Sequence, residues 1–440
     1  MIIGRLRRLS IQAFVLSGDA MRINLIAFGT RGDVQPALAF ACGLRDAGHE
    51  VVIFCGANFV PWVESYGFTT HPGLDMDAMM STADAVEWSE RGTNPQVQLR
   101  VMRKLLHSHS DDMTRSLEAH GGDCDLLVSG FVSTPFAQVI AEKYKRPLIE
   151  AALQPYRPTR SAAASMNPLT RRDSRLNRWF GLFAQRMIVR MVQKPVADMR
   201  ERLGMPTISM LDMVRRLRDV PLINAYSSHI VPHPADYPEL SATVGYWFLD
   251  EASEWTPPAA LMDAVSQSPR PIYIGFGSMN SRDPAGLFAL ICDAVEIAGV
   301  RAVVMSRWAV EHQAAAPERV CVIDRAPHDW LMQQVSAVVH HGGAGTTAAG
   351  LRAGKPTLIV PHMADQPFWG RRVHESGAGP EPILKPVLTR ESLAFRLKEL
   401  VETPSYAERA SELGACIRDE DGVANGIAAL ERFAAALGVK

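Results

Sequence analysis

From Arg22 onward the chain alternates short apolar runs rich in Val and Ile with helix-length amphipathic stretches, and this restricts its fold more than any other feature. The runs fall at Asn24–Phe28, Val51–Phe54, Leu126–Val128, Pro147–Ala151 and Leu222–Ala225, and again at Ile272–Phe276, Ala302–Met305, Val320–Ile323, Ala337–Val339 and Leu358–Val360. Strands that are apolar on both faces, with helices between them, belong to parallel sheets covered above and below. The fold class is therefore α/β, doubly wound. The series pauses between about His229 and Arg270, where Pro232, Pro234, Pro238, Pro257, Pro258, Pro269 and Pro271 crowd together. Two domains follow, 21–235 and 271–424, with 236–270 as linker, and 440 residues are enough for two cores. Three helices are predicted near the end, Arg390–Glu402, Ser405–Ile417 and Asn425–Leu437, the last of them (425–440) placed to cross back to the first domain. Residues 1–20 carry Arg5-Leu6-Arg7-Arg8 and a short apolar stretch, Ile11–Leu16. They read as a disordered extension or a mis-set start ahead of Met21 rather than a signal peptide.

Charge and cysteine usage remove several function classes. With 46 Lys+Arg against 47 Asp+Glu, the chain lacks the basic excess that would drive nucleic-acid binding. Its 6 cysteines are scattered, with no C-x-x-C pair and no zinc spacing, as in a reducing cytoplasm. No run approaches the roughly 18 apolar residues of a membrane span. One stretch departs from neutrality. Between Arg157 and Arg218 basic residues far outnumber Asp173, Asp198, Glu201 and Asp212, and Leu176, Trp179, Phe180, Phe183, Met187 and Met191 recur among them at helical spacing. Two readings stay open: a basic helix whose apolar stripe packs on the first domain, or a membrane-surface contact or lid over a lipid-like acceptor.

In open parallel sheets ligands bind beyond the carboxyl ends of strands, so the strand-to-helix turns carry the functional information. The first is Gly29-Thr30-Arg31-Gly32-Asp33, where Asp33 can cap the following helix, act as a general base, or do both. The second, Gly275-Phe276-Gly277-Ser278, is small enough for amides and the Ser278 hydroxyl to approach an anion. The third, His340-His341-Gly342-Gly343-Ala344-Gly345-Thr346-Thr347, places amides at a helix start, which suits a diphosphate, with His341 as a further donor. It is neither G-x-G-x-x-G nor a P-loop, which disfavours nicotinamide and ATP. One strand later, Asp365 and Gln366 stand side by side, a pair able to hydrogen-bond neighbouring sugar hydroxyls.

These blocks, with Pro327-His328-Asp329-Trp330, resemble the UDP-glycosyltransferase superfamily, the family 1 inverting enzymes of GT-B fold. They are most similar to the sterol 3-beta-glucosyltransferase branch and to bacterial enzymes that glycosylate antibiotics and lipids. The resemblance implies two Rossmann-like domains facing across a cleft, the acceptor in the first and the nucleotide sugar in the second. It implies that His341 and Gly343, Ala344, Gly345 and Thr346 hold the diphosphate, with Gly277 and Ser278 approaching from the neighbouring loop. Asp365 and Gln366 would hold the hexose, Arg325, Pro327 and His328 the uracil, and Trp330 a ring wall. Gly29, Thr30, Arg31 and Gly32 would face donor and acceptor, and Asp33 would be the catalytic base. The chain departs from plant-type members twice: Ala349 stands where a ribose-binding Glu is expected, and Ser129-Gly130 where an Asp would orient a catalytic His.

The expected reaction moves a hexose, glucose from UDP-glucose, onto a hydroxyl of a sterol, polyketide or lipid. It needs no metal and no permanently bound cofactor, because the glycine turn does the work of a divalent cation. The expected setting is cytoplasmic, at most peripheral to the inner face of the membrane. The alternatives are transfer of a dTDP- or UDP-deoxysugar, epimerisation of a nucleotide sugar, and a non-catalytic nucleotide-sugar-binding partner.

Overall fold

The computed structural model describes residues 20–92, 94–251, 255–277 and 282–439. Two sheets organise it, and every strand pairing in both is parallel. The first contains β1 (Arg22–Ala27), β2 (Glu50–Gly56), β3 (Thr69–Gly73), β4 (Leu126–Gly130), β5 (Leu148–Ala152), β6 (Leu222–Asn224) and β7 (Ser241–Thr243), in the order β3-β2-β1-β4-β5-β6-β7. The second contains β8 (Ile272–Gly275), β9 (Ala302–Met305), β10 (Val320–Ile323), β11 (Val338–His340) and β12 (Thr357–Ile359), in the order β10-β9-β8-β11-β12. Both orders reverse direction beside their first strand, between β1 and β4 and between β8 and β11. Crevices form at such switch points in doubly wound sheets.

β1 shows why these runs become central strands. Ile23, Leu25 and Ala27 enter the core on one face and Ile26 enters it on the other. Asn24, which shares the face of Ile26, is buried but donates from Nδ2 to the carbonyls of His120 and Gly121, so its burial leaves no donor unpaired.

Two strands lie where the apolar pattern gives none. β3 is half polar, and β7 falls inside the 236–270 stretch read as linker yet pairs with β6, Leu222 opposite Ser241. Both are edge strands whose faces are only partly buried, so neither needs a continuous apolar run. The helix Ala259–Ser266, also within that stretch, packs Leu261 and Val265 on the second sheet with Tyr273 and Val303. The crossover between the sheets is therefore shorter than the proline cluster.

Two apolar contacts help to join the domains. Helix Gly422–Ala436 returns to the first sheet, placing Leu430 and Phe433 in the core with Leu38 and Leu44. Gly43 and Gly426 make this approach possible: a Cβ at Gly43 would lie 2.3 Å from Val423, and one at Gly426 would lie 2.9 Å from the Trp247 ring nitrogen. A second apolar cluster spans the domains directly, with Tyr226, Ile230 and Val231 against Phe368, Trp369 and Leu413. Arg372 seals its edge by donating to the Ile230 carbonyl at 2.9 and 2.7 Å.

Candidate active site

The turn after β1 runs into helix Arg31–Asp46, whose N-cap is Thr30 and not Asp33. Asp33 is in the first turn and reaches back, its Oδ2 accepting from the Thr30 N–H at 2.8 Å and the Thr30 hydroxyl at 3.2 Å. That path passes over Gly29, where a Cβ would lie 2.2 Å from the carboxylate oxygen. Gly29 is thus required for close approach, and the capping role read from the sequence is present. The carboxyl also lines a pocket with Phe28, Ala37, Gly130, Phe131, Leu153 and Trp247. Enclosure by these side chains pushes its pKa up to about 6, against the Thr30 hydrogen bonds and with help from the negative charge of Asp365 in the other domain.

The turn after β11 is built differently. Gly342 takes φ +96° and donates its N–H to Nδ1 of the buried His340, fixing that imidazole against the sheet. Gly343 is the N-cap of helix Ala344–Arg352. The His341 ring is clamped between two glycines: a Cβ at Gly277 would lie 2.8 Å from it, and one at Gly343 would lie 2.7 Å from its Nε2. Burial lowers its pKa to about 4, so it is neutral at pH 7, although a hydrogen bond to the Gly275 carbonyl and the nearness of His328 also bear on it. Gly345 differs from both, being exposed with nothing within 4 Å of its Cβ direction. Thr347 turns inward and donates to the Gly343 carbonyl. The first turn of this helix carries only the small Ala344 and Gly345 and then Thr346, and the N–H groups of a helix's first turn have no partner within the helix. Ser278 lies outside the described residues.

The turn after β12 holds Asp365 and Gln366 by separate devices. Ala364 has φ +54°, a left-handed backbone uncommon for a residue with a Cβ. Asp365 Oδ2 accepts from Trp369 Nε1 at 2.7 Å, and Trp369 is wholly buried in the cluster between the domains. Burial raises the Asp365 pKa, and the Trp369 bond opposes this. Gln366 is buried, its Oε1 accepting from the N–H groups of His362 and Met363 at 2.7 and 3.0 Å. The sequence assigned that amide to the sugar. The structure uses its oxygen to close the turn.

The turn after β10 carries Arg325, exposed, and Pro327, N-cap of helix His328–Gln334. Burial and the charge of Arg31 lower the His328 pKa to about 4. Trp330 packs edge-on against Trp255 at 5.1 Å. The cleft therefore brings Asp33 towards Asp365, Arg31 towards His328, and His328 towards His341.

Sequence reading missed a tether. Glu251, on the crossover, accepts from Arg31 Nη2 at 2.6 Å, Trp62 Nε1 at 3.2 Å and Gln35 Nε2 at 3.3 Å, while its own N–H donates to Asp329 at 3.0 Å. The Arg31 guanidinium also lies over the Trp62 ring, 4.5 Å from its centroid. The Asp33 loop and the His328 turn are thereby tied through one residue. No sequence motif marks it, because its partners are far apart along the chain. Among the described residues, no group of three or more His, Cys, Asp or Glu is placed to hold a metal ion, and no helix is long and apolar enough to cross a membrane.

With this geometry in place, the comparisons are specific. Residues 23–160 match the glycosyltransferase family 28 N-terminal domain, and residues 291–421 match the erythromycin biosynthesis protein CIII-like C-terminal domain. The chain belongs to the GT-B-fold UDP-glycosyltransferase superfamily. A sterol 3-beta-glucosyltransferase of Neosartorya fischeri is 33% identical over 434 residues, which is 94% of this chain and 30% of that protein. The chain thus spans about a third of the length of the curated relatives it matches. Among solved structures, the calicheamicin glycosyltransferase CalG4 shares the fold with TM-score 0.68 at 17% identity, covering 94% of this chain and 98% of that one. The glycosyltransferase VinC, in complex with dTDP, does so with TM-score 0.64 at 20% identity, covering 94% and 100%.

Proposed function

We propose that the chain transfers a hexose from a nucleotide sugar, glucose from UDP-glucose, to a hydroxyl of a hydrophobic small molecule such as a sterol, polyketide or lipid, with inversion. The observation that carries this is the meeting of an apolar pocket holding a carboxyl of pKa about 6 and a helix start that is open at Gly345, where nothing stands within 4 Å of the Cβ direction. The diphosphate binds at the amides of Gly343, Ala344, Gly345 and Thr346, where aligned peptide dipoles favour negative charge. His341 and Gly277, which stands against its ring, complete that site. Asp365 and Gln366 face the hexose, with the Gln366 oxygen also closing the turn. Pro327, His328, Arg325 and Trp330 face the base.

An acceptor hydroxyl in the Phe28, Phe131 and Trp247 pocket attacks the anomeric carbon from the side opposite the leaving diphosphate, through an oxocarbenium-like transition state. Asp33 takes the hydroxyl proton as that bond forms. Its raised pKa makes it a stronger base than a solvated carboxylate, yet leaves it ionised at pH 7. The helix start stabilises the charge that develops on the leaving group, and the docked domains position donor and acceptor. The enzyme works in the cytoplasm, with the basic segment 157–218 as a peripheral contact to the membrane. Incubation with UDP-glucose and a panel of hydrophobic alcohols, with products read by mass and anomeric configuration, tests the reading. A β-glucoside from the α-configured donor is expected. Turnover with dTDP-glucose alone would overturn the donor, and free glucose as the sole product under every acceptor would overturn the transfer.

A further inference from the structure

The Arg175–Arg202 helix is two helices in one. Its second half buries Val189, Val192, Val196 and Met199 in the main core. Its first half stands clear of that core, with Leu176, Trp179 and Phe183 exposed by 55%, 69% and 57% on a single face. Leu169, in the loop just before the helix, adds a fourth exposed apolar side chain at 57%. Burying none of these is costly for a protein surrounded by water alone, since contiguous exposed apolar side chains mark interaction surfaces.

Positive charge surrounds the same face. Arg171, Arg172, Arg175, Arg186 and Arg190 are exposed, and among the described residues none of them is engaged in an ion pair. The nearest acidic residue of the loop, Asp173, is turned away to accept from the Ala162 N–H. At the edge of the face Arg160, Arg175, Arg178, Trp179 and Leu182 line a pocket. Asp236 steadies its walls, pairing with Arg178 at 3.3 Å and accepting from the Arg160 N–H at 3.1 Å. An apolar ridge with a large aromatic ring at its crest and arginines along its flank is complementary to an anionic bilayer, whose phosphates meet the guanidinium groups while the rings enter the headgroup boundary.

We infer that this face docks on an anionic membrane surface, with lipid phosphate seated among Arg160, Arg175 and Arg178 and Trp179 and Phe183 inserted at the interface. The inference rests on the peripheral contact proposed above and gives it an orientation. It also gives the acceptor a path. The loop that leaves β5 begins at Leu153 and Gln154, which line the Asp33 pocket, and runs on to Arg160 at the docking face. Gly181 lets that loop press on the helix, since a Cβ there would lie 3.0 Å from Pro158. One segment thus links the bilayer to the acceptor pocket, so a membrane-dissolved alcohol is the substrate class this surface fits.

The test is flotation of the full chain with phosphatidylcholine vesicles, with and without about 30% phosphatidylglycerol, at low salt. The wild-type protein is expected to float only with the anionic vesicles. The Trp179→Ala/Phe183→Ala protein is expected to bind about tenfold more weakly, and Arg175→Glu/Arg186→Glu to lose binding altogether. Thermal midpoints matching wild type, together with an unchanged UDP-induced shift, establish that each variant is folded. Undiminished flotation of the folded variants would overturn this face while leaving a peripheral contact elsewhere on 157–218. Failure of the wild-type protein to float with any vesicle would overturn both.

Discussion

The turns after β1 and β11 leave strands on opposite sides of the point where strand order reverses, β1 being the first strand of its sheet and β11 the neighbour of β8, the first strand of the other, and each delivers a glycine-rich segment into the start of a helix. They are filled in opposite ways. In the first, a side chain of the helix itself, Asp33, folds back over Gly29 and bonds the cap residue, so the helix start is satisfied by an internal carboxylate. In the second, the glycines admit a neutral imidazole between them, and Gly345 leaves its first turn uncovered. Two glycine-rich strand-to-helix turns therefore yield a site that already holds its negative charge and a site suited to receive one. That division corresponds to the two halves of the proposed reaction, proton removal and leaving-group stabilisation.

Breaking each half separately is the sharpest test. Asp33→Asn keeps an oxygen for the Thr30 N–H but removes the base, and transfer is expected to fall about 10³-fold with donor binding intact, measured as kcat beside a UDP titration. Gly345→Leu places a side chain where nothing now stands, and is expected to remove UDP binding while the thermal midpoint stays close to wild type. Gly343→Ala is predicted to act less cleanly, displacing His341 and weakening UDP binding by about tenfold, roughly 1.4 kcal/mol.

The pH dependence follows from Asp33. kcat/KM should rise with pH through about 6 as the carboxyl ionises. Its folded pKa lies above the unfolded value of 3.8, so the folded state holds the proton more tightly. The ionised group therefore costs nothing below about pH 4, and the cost grows as pH rises towards 6. Asp33→Asn is consequently expected to stabilise the protein above pH 6, by at most about 3 kcal/mol, and to lose that advantage below pH 4 in denaturant titrations. The smallest effect expected is that of Glu251→Gln. It keeps an acceptor for Trp62 but loses the Arg31 ion pair, lowering kcat several-fold, about 1 kcal/mol, with KM for UDP-glucose little changed.

Apolar runs located ten strands, the edge strands β10 and β12 among them, because burial on both faces leaves a continuous signal, whereas the partly exposed β3 and β7 left none. The contact of Asp33 with the helix start was legible because its position after two glycines restricts it locally. Gln366 was not, because which end of an amide is used depends on the His362 and Met363 N–H groups that the turn folds against it. Trp247 and Glu251 lie on an irregular crossover and reach the site only through tertiary contacts, so periodicity carries no trace of them.

The division of labour between the two turns is the central claim, and calorimetric titration of UDP into the wild-type protein, Asp33→Asn and Gly345→Leu tests it most directly. The account predicts that Asp33→Asn binds UDP as the wild type does and that Gly345→Leu does not bind it. Binding that survives in Gly345→Leu, or that disappears in Asp33→Asn, would contradict it.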